Sequence, residues 1–447
     1  MKLFSLNSKR RKTVADSLEF VNEYDKFSSV NQQSKLAMKG NAVSSSQKMC
    51  KPHFGWGGLP SEALLQVFSH LPVYDMGRAA QVCSHWNHVS KFPQLWQRAE
   101  FVLSHTSRSD LQPTPRGLID HIIKYHAKHL KFVIFKTDSS VQSAETACHI
   151  LSRLVNCSLK TLALISSAHP VFLDVDQELF VSALTVVFDH SHALSSVAID
   201  NTPVDDPCLV ALASSNSRTL QLLRMKSCPR VSPEGMLTLA DNCRYLRELS
   251  LSYTLLSDDL LLSLSSEKHV RLEYLRIDVY TEKDILLHQI SPRCWQALVQ
   301  HSPAMNLVMY FFVIPDESFD ILFTSYVPVT HLYFGDYVPK PVLGRIGLHC
   351  PRLKELVVGA NGNSFINEEL LNIATNCPQL SSVGLGECVV SCSAFVEFAK
   401  ICGPRLKELY VMEECLVEDV QFDVAKTCKH VSELIQREWT PEFMPVW

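Results

Sequence analysis

Residues 246–251, Leu246-Arg247-Glu248-Leu249-Ser250-Leu251, decide the fold. Their apolar side chains fall at i, i+3 and i+5. The same spacing appears at Leu130/Val133/Phe135, Leu159/Leu162/Leu164, Leu194/Val197/Ile199, Leu220/Leu223/Met225 and Leu272/Leu275/Ile277. It continues at Met305/Val308/Tyr310, Val329/Leu332/Phe334, Leu353/Leu356/Val358, Leu380/Val383/Leu385 and Leu406/Leu409/Val411. Eight of the ten intervals between successive starts lie between 24 and 29 residues, so one structural unit is being repeated.

Side chains alternate across a strand, so i+3 and i+5 point to one face and the residue between them to the other. A single such unit cannot bury its own apolar face. Stacking parallel strands closes the core between neighbours and leaves a long concave sheet for binding. Periods of about 20 to 29 residues built on L-x-x-L-x-L are those of leucine-rich repeats. The fold class expected is α/β: strands on the concave face, helices outside, about eleven repeats over 130–430. An ordinary parallel α/β protein would not repeat its strands at so short and constant a period. Helix starts are expected at Ser232-Pro233-Glu234, Ser257-Asp258-Asp259 and Ser291-Pro292, where a hydroxyl precedes a favoured first turn, and at Asn367-Glu368-Glu369.

Forty-two basic against forty-six acidic residues give a formal charge of −4, which points to neither a nucleic acid nor a membrane surface as partner. No apolar run approaches the roughly 18 to 20 residues of a spanning helix. Lys9-Arg10-Arg11-Lys12 has no apolar core behind it, so it does not read as a secretory signal, and the protein is expected in the nucleus and the cytosol. Fifteen cysteines follow the repeat and suit a reducing compartment, as small buried thiols at the corners of the array.

Residues 1–50 are rich in Ser, Asn, Gln and Lys and read as a disordered tail, with the basic run either an import signal or a solvated charge cluster. From Trp56 to about Glu100 the pattern becomes helical. Leu59-Pro60 opens a helix carrying Leu64, Leu65 and Phe68, and Leu71-Pro72 stops it. A second helix runs from Asp75, with Met76, Ala79, Ala80 and Val82-Cys83 on its apolar side, into Trp86; Phe92-Pro93 to Leu95-Trp96 closes the unit. A core this small needs a partner to cover its apolar face. The order Leu59-Pro60, Leu64-Leu65, Phe68, Leu71-Pro72, Val82-Cys83 and Trp86 resembles an F-box. The resemblance implies docking on a Skp-type adaptor and, through it, on a cullin-RING ubiquitin ligase core. The other reading is a helical cap that only closes the first repeat. Residues 101–129 are expected to be a linker helix.

Between the buried positions, early strands should show Arg224, Lys226, Ser250, Ser252, Arg276 and Asp278 on the open face. Later strands should show Met309, Phe311, Tyr333, Val357, Tyr410 and Met412, a candidate groove for a partner unless loops or the chain end cover them. Residues 431–447 should form a last helix, Val431 to Glu438, and then an extended apolar tail, since Pro441 and Pro445 preclude regular structure. Trp439, Phe443, Met444, Val446 and Trp447 either fold back over the last repeat or enter a partner's pocket.

The chain from 56 to 447 also resembles the cryptochrome-binding branch of F-box and leucine-rich-repeat proteins, through Val82-Cys83-Ser84-His85-Trp86-Asn87, Asn156 to Leu162, Asn306 to Phe312, Gly384 to Cys388 and Met444-Pro445-Val446-Trp447. That resemblance implies that the repeats cup the flavin-containing domain of a cryptochrome, that Trp447 enters its flavin pocket, and that ubiquitination of the cryptochrome tunes the circadian clock.

No catalytic, metal or cofactor site is expected. Cys388, Cys392 and Cys402 lack zinc-ligand spacing, the acidic pairs Asp205-Asp206, Asp258-Asp259 and Glu413-Glu414 sit at turns and helix starts, and no phosphate-binding glycine loop is present. The competing non-enzymatic reading is a leucine-rich-repeat scaffold or inhibitor with no ubiquitin-ligase role.

Overall fold

The computed structural model describes residues 56–105, 112–155, 157–166, 171–280 and 287–442. The tail 1–50 and Phe443, Met444, Val446 and Trp447 lie outside them. The chain forms two compact units, one running to Ser191 and the other from His192 onward.

In the first unit three helices come before any strand: α1 (Ser61–Phe68), α2 (Val73–Ala79) and α3 (Ser84–Ser90). Leu64, Phe68, Met76, Ala79 and Val89 are buried between them, and Phe68 meets Trp86 edge-on at 5.2 Å. Val82 and Cys83 are not on the apolar side of a long second helix. They are exposed in the turn that ends α2, and Cys83 caps a separate α3. A turn at Pro93–Trp96 follows, in which the buried Trp96 donates its Nε1–H to the Ser90 carbonyl at 2.6 Å.

Then comes β1 (Arg98–Leu103), pairing in parallel with β2 (Phe132–Thr137). The 101–129 segment therefore begins as a strand. Ala99, Phe101 and Leu103 alternate inward, a period-two signal too short to separate from the end of the helical unit. The linker helix is α4 (Arg116–His126). After β2 follow α5 (Val141–Leu151), β3 (Thr161–Ser166), paired in parallel with β2, and α6 (Gln177–His190).

The second unit alternates β4 (Ser196–Ala198), α7 (Asp206–Asn216), β5 (Leu222–Met225), α8 (Pro233–Asn242), β6 (Glu248–Ser252), α9 (Asp258–Leu264), β7 (Tyr274–Val279), α10 (Pro292–His301) and β8 (Asn306–Phe311). It continues with α11 (Ser318–Leu322), β9 (His331–Tyr337), α12 (Lys340–His349), β10 (Glu355–Phe365), α13 (Asn367–Asn376), β11 (Ser382–Ser391) and α14 (Cys392–Cys402). The unit closes with β12 (Glu408–Val411), β13 (Leu416–Val417) and α15 (Val424–Ile435). Strands β4 to β12 pair in parallel, each with the next, and β13 pairs with β11. Helices α7 to α10 pack each on the next, as do α12 to α15, giving the α/β, strand-inside, helix-outside architecture of a repeat array. Each of the eleven triplets marks one of the strands β2 to β12: its first residue lies one or two positions before the strand and its second within it, and only Ile199, past β4, has its third outside. The last helix starts at Val424 rather than near Val431, because Asp423 accepts from the Lys426 N–H at 2.7 Å and starts it early.

Ser232 and Ser257 cap α8 and α9 through their hydroxyls, each at 3.1 Å. Ser291 makes no such bond; its hydroxyl instead donates to the Cys294 thiol. A second device ties repeats together. The first residue of one helix accepts the backbone N–H of the serine that precedes the next helix: Asp206 from Ser232 at 2.9 Å, Asp258 from Ser291 at 2.8 Å and, at the start of α13, Asn367 from Ser391 at 3.0 Å. The paired aspartates of the sequence thus divide their work, Asp205 capping its own helix through the Cys208 N–H and Asp206 holding the neighbour. Gly235 leaves room for this contact, since a Cβ there would lie 2.1 Å from an Asp206 carboxylate oxygen. Twelve of the fourteen described cysteines are buried free thiols, and burial pushes Cys157, Cys228 and Cys243 up to about 12.

Candidate functional site

Two surfaces carry the residues singled out by sequence. On the amino-terminal helices the ten adaptor-facing candidates divide by burial. Leu64 and Phe68 are core. Leu59, Leu65, Leu71 and Trp86 are half-buried; Pro60, Pro72, Val82 and Cys83 are exposed. Val67, not singled out by the sequence reading, is 45% exposed and Val82 62% exposed, and Trp56 shows 73% of its surface. The Leu59 carbonyl lies 3.1 Å from His85 Nε2, Trp86 donates to the Trp56 carbonyl at 3.4 Å, and Asn87 donates to the Ala80 carbonyl at 2.9 Å. These bonds fix the Leu59-Pro60 entry and the α2–α3 turn against α3, so the outward apolar side chains sit on a rigid frame.

The second surface is the sheet face opposite the helices in the unit from His192. Register defines it row by row. One row runs Arg224, Ser250, Arg276, Val308, His331, Glu355, Ser382, Glu408. The next runs Ser252, Asp278, Tyr310, Tyr333, Val357, Gly384, Tyr410. Tyr333, Val357 and Tyr410 therefore lie on the expected face, with Met412 just past β12; Tyr333 and Val357 are nonetheless largely covered by their neighbours. Arg224, Lys226 and Asp278 are also where the alternation put them. Arg224 pairs with Asp200 at 3.6 Å, and Lys226 reaches Asp278 at 3.6 Å and the Tyr310 ring at 5.7 Å.

Met309 and Phe311 are not on this face. Both are buried, with Met309 opposite Ile277 and Phe311 opposite Val279, and the outward residues of β8 are Val308 and Tyr310. The run Leu307-Val308-Met309-Tyr310-Phe311-Phe312 is apolar at every position, so alternation within it carries no phase. Phe311 instead belongs to a four-ring core with Phe334, Phe323 and Phe319, at centroid distances of 5.0, 5.4 and 6.0 Å. The residue missed was Tyr310, which stacks on Tyr333 at 4.4 Å with the planes 9° apart. Its signal was present in the register of the neighbouring strands, not in its own. Also missed are Tyr337 and Phe365, exposed at the carboxyl ends of β9 and β10.

His331 lies in the first row. Burial, and then the Lys354 and Arg276 charges, lower its pKa to about 4. It is neutral at pH 7, so its 4.0 Å approach to Glu355 is not an ion pair there. Burial, with Glu408 and Glu442 nearby, raises Tyr410. Beyond α15, Trp439 is buried: its ring lies 5.4 Å from Phe395 and its Nε1–H reaches the Leu409 carbonyl at 2.9 Å. That residue caps the last repeat. Among the described residues no group of His, Cys, Asp or Glu could hold a metal ion, and no helix is long and apolar enough to cross a membrane.

The F-box-like family model matches residues 56–101. F-box/LRR-repeat protein 21 of Mus musculus is 53% identical over 394 residues, covering 88% of this chain and 91% of the relative. Its counterpart in Bos taurus is 49% identical, covering 96% and 99%. F-box/LRR-repeat protein 8 of Homo sapiens is 25% identical, covering 78% and 93%. With its matched helical segment followed by parallel repeats, the chain belongs to the F-box/LRR-repeat protein family.

Proposed function

We propose that the chain is the non-catalytic substrate-recognition subunit of a Skp-cullin-F-box ubiquitin ligase. The observation that carries this is the division of the 56–101 segment into a buried core and an outward set, Leu65, Val67 and Val82 foremost, held on a rigid three-helix frame. Exposed apolar side chains at neighbouring positions on so small a unit favour a protein partner. A Skp-type adaptor covers them in this reading, and the cullin-RING core follows through the adaptor.

The client is a cryptochrome, held by the open sheet face and the carboxyl-terminal segment. The half-exposed Tyr310, held flat against the largely covered Tyr333, and Tyr410 further along the same row offer rigid aromatic side chains of the kind on which interface energy concentrates. Ubiquitination of that client, in nucleus and cytosol, is the route by which the chain tunes the circadian clock.

The test is co-purification of the full chain with a Skp-type adaptor. Replacing Leu65, Val67 and Val82 by alanine together should abolish adaptor recovery while cryptochrome capture persists. Adaptor recovery unchanged by the triple variant would leave the chain as a repeat scaffold without a ligase.

A further inference from the structure

Strand β12 ends the path of strands, pairing with β11 on one side only. Lys407 and Glu408 both donate to the Ser381 carbonyl just before that neighbour, at 2.7 and 3.2 Å, and Met412 donates to Leu385 within it at 3.3 Å. Alternation along the strand then turns the carbonyls of Leu409 and Val411 to the outer edge, with the Lys407 carbonyl just ahead of them. Each of the three has a partner from the chain's own carboxyl-terminal segment. The Arg437 guanidinium donates to the Lys407 carbonyl, Trp439 Nε1–H to Leu409 at 2.9 Å, and the Glu442 backbone N–H to Val411 at 2.9 Å. The segment is aimed there by its own geometry. Gln436 ends α15 in the left-handed region at φ 58°, Arg437 N–H returns to the Ser432 carbonyl at 3.2 Å, and Ser432 Oγ accepts the Trp439 N–H at 3.0 Å.

We propose that residues 437–442 are a strap that holds shut a strand-addition surface on β12, and that the occupant of this surface, once the strap leaves, is the β12 edge of a second copy of this chain. An uncovered strand edge is a template for another strand. A two-fold axis at Leu409 makes this edge self-complementary, because antiparallel pairing about that residue sets Lys407 against Val411 and Glu408 against Tyr410, with no like charges opposed. The strap supplies two side-chain donors and one backbone donor rather than a regular ladder. It therefore covers the edge without becoming a strand, and can be removed without unpairing β12 from β11.

The experiment uses light scattering on the full chain over a hundred-fold concentration range, with hydrogen exchange at the Leu409 and Val411 amides. Wild type should keep the mass of one chain. A chain ending at Gln436, and a full-length chain carrying Trp439→Phe with Glu442→Pro, which keeps a ring against Phe395 but removes two of the three donors, should approach twice that mass as concentration rises. A synthetic peptide of residues 436–447 added in excess should return both to one chain. Variants that stay at one chain with edge amides exchanging at least ten-fold faster would overturn the second copy as occupant. Edge exchange unchanged from wild type would overturn the strap itself. Aggregates of no defined mass that ignore the peptide would overturn the discrete pairing.

Discussion

Replacing Phe311 by alanine separates the core of β8 from its binding face. Phe311 is 2% exposed, and three phenylalanine rings surround it at 5.0 to 6.0 Å. Deleting a buried phenyl group costs about 3 to 5 kcal/mol in transfer and cavity terms. Against a total stability of roughly 5 to 15 kcal/mol, the loss is large. Its neighbour Tyr310 is half-exposed, stacks on Tyr333 and has Lys226 5.7 Å from its ring, so Tyr310→Ala should cost about 1 to 2 kcal/mol from the lost aromatic pair and cation contact. Urea denaturation of the two variants, followed by cryptochrome capture normalised to folded protein, reads both effects. Phe311→Ala should lower the midpoint sharply and leave capture per folded molecule intact; Tyr310→Ala should do the reverse. An unchanged midpoint with lost capture for Phe311→Ala would refute the register on which the open face is built.

The same contrast applies to α1: Leu64→Ala and Phe68→Ala, at 1% and 0% exposure, should each cost about 2 to 5 kcal/mol of folding stability, whereas Leu65→Ala and Val67→Ala should leave the melting temperature within a few degrees and lower adaptor affinity. Circular dichroism melts beside a titration with adaptor would show it. Gly235→Ala should break the Asp206–Ser232 bonds at 2.6 and 2.9 Å and lower stability by about 1 to 3 kcal/mol, measured by denaturant titration. For pH, burial lowers both His126 and His331 to about 4, from an ordinary value near 6.5. The unfolded chain therefore binds more protons between these values, so the stability from each neutral imidazole is complete above about pH 6.5 and drains as pH falls toward 4. By pH 5 the loss should be about 2 kcal/mol per histidine, with the midpoint of His331→Gln falling less steeply than wild type; equal slopes would contradict it.

The repeats were legible because leucines at a fixed phase bury one face whatever lies between them; Leu223, Leu249 and Leu275 face the core as the triplets require. The phase failed only at β8, where six successive apolar residues erase alternation and only the pairing with Ile277 and Val279 restores it. In the amino-terminal segment the apolar positions were visible, but not which of them point inward. Leu64 and Leu65 are adjacent and chemically identical, and helix packing alone buries the first and leaves the second half-exposed. Helix breaks were equally hidden, since nothing in Val82-Cys83 marks a turn by composition. The ladder from Asp206 to Ser232 joins residues 26 positions apart, which a local reading of paired aspartates as caps cannot see.

Mixing the purified full chain with a Skp-type adaptor and a cryptochrome tests directly whether one chain carries both proposed faces, the adaptor-binding and the client-binding. Light scattering on the eluted peak should give the summed mass of one copy of each, with the Leu65, Val67 and Val82 variant losing only the adaptor and Tyr310→Ala losing only the cryptochrome. A complex that forms with either partner but never with both, or one in which neither set of substitutions acts selectively, would contradict it.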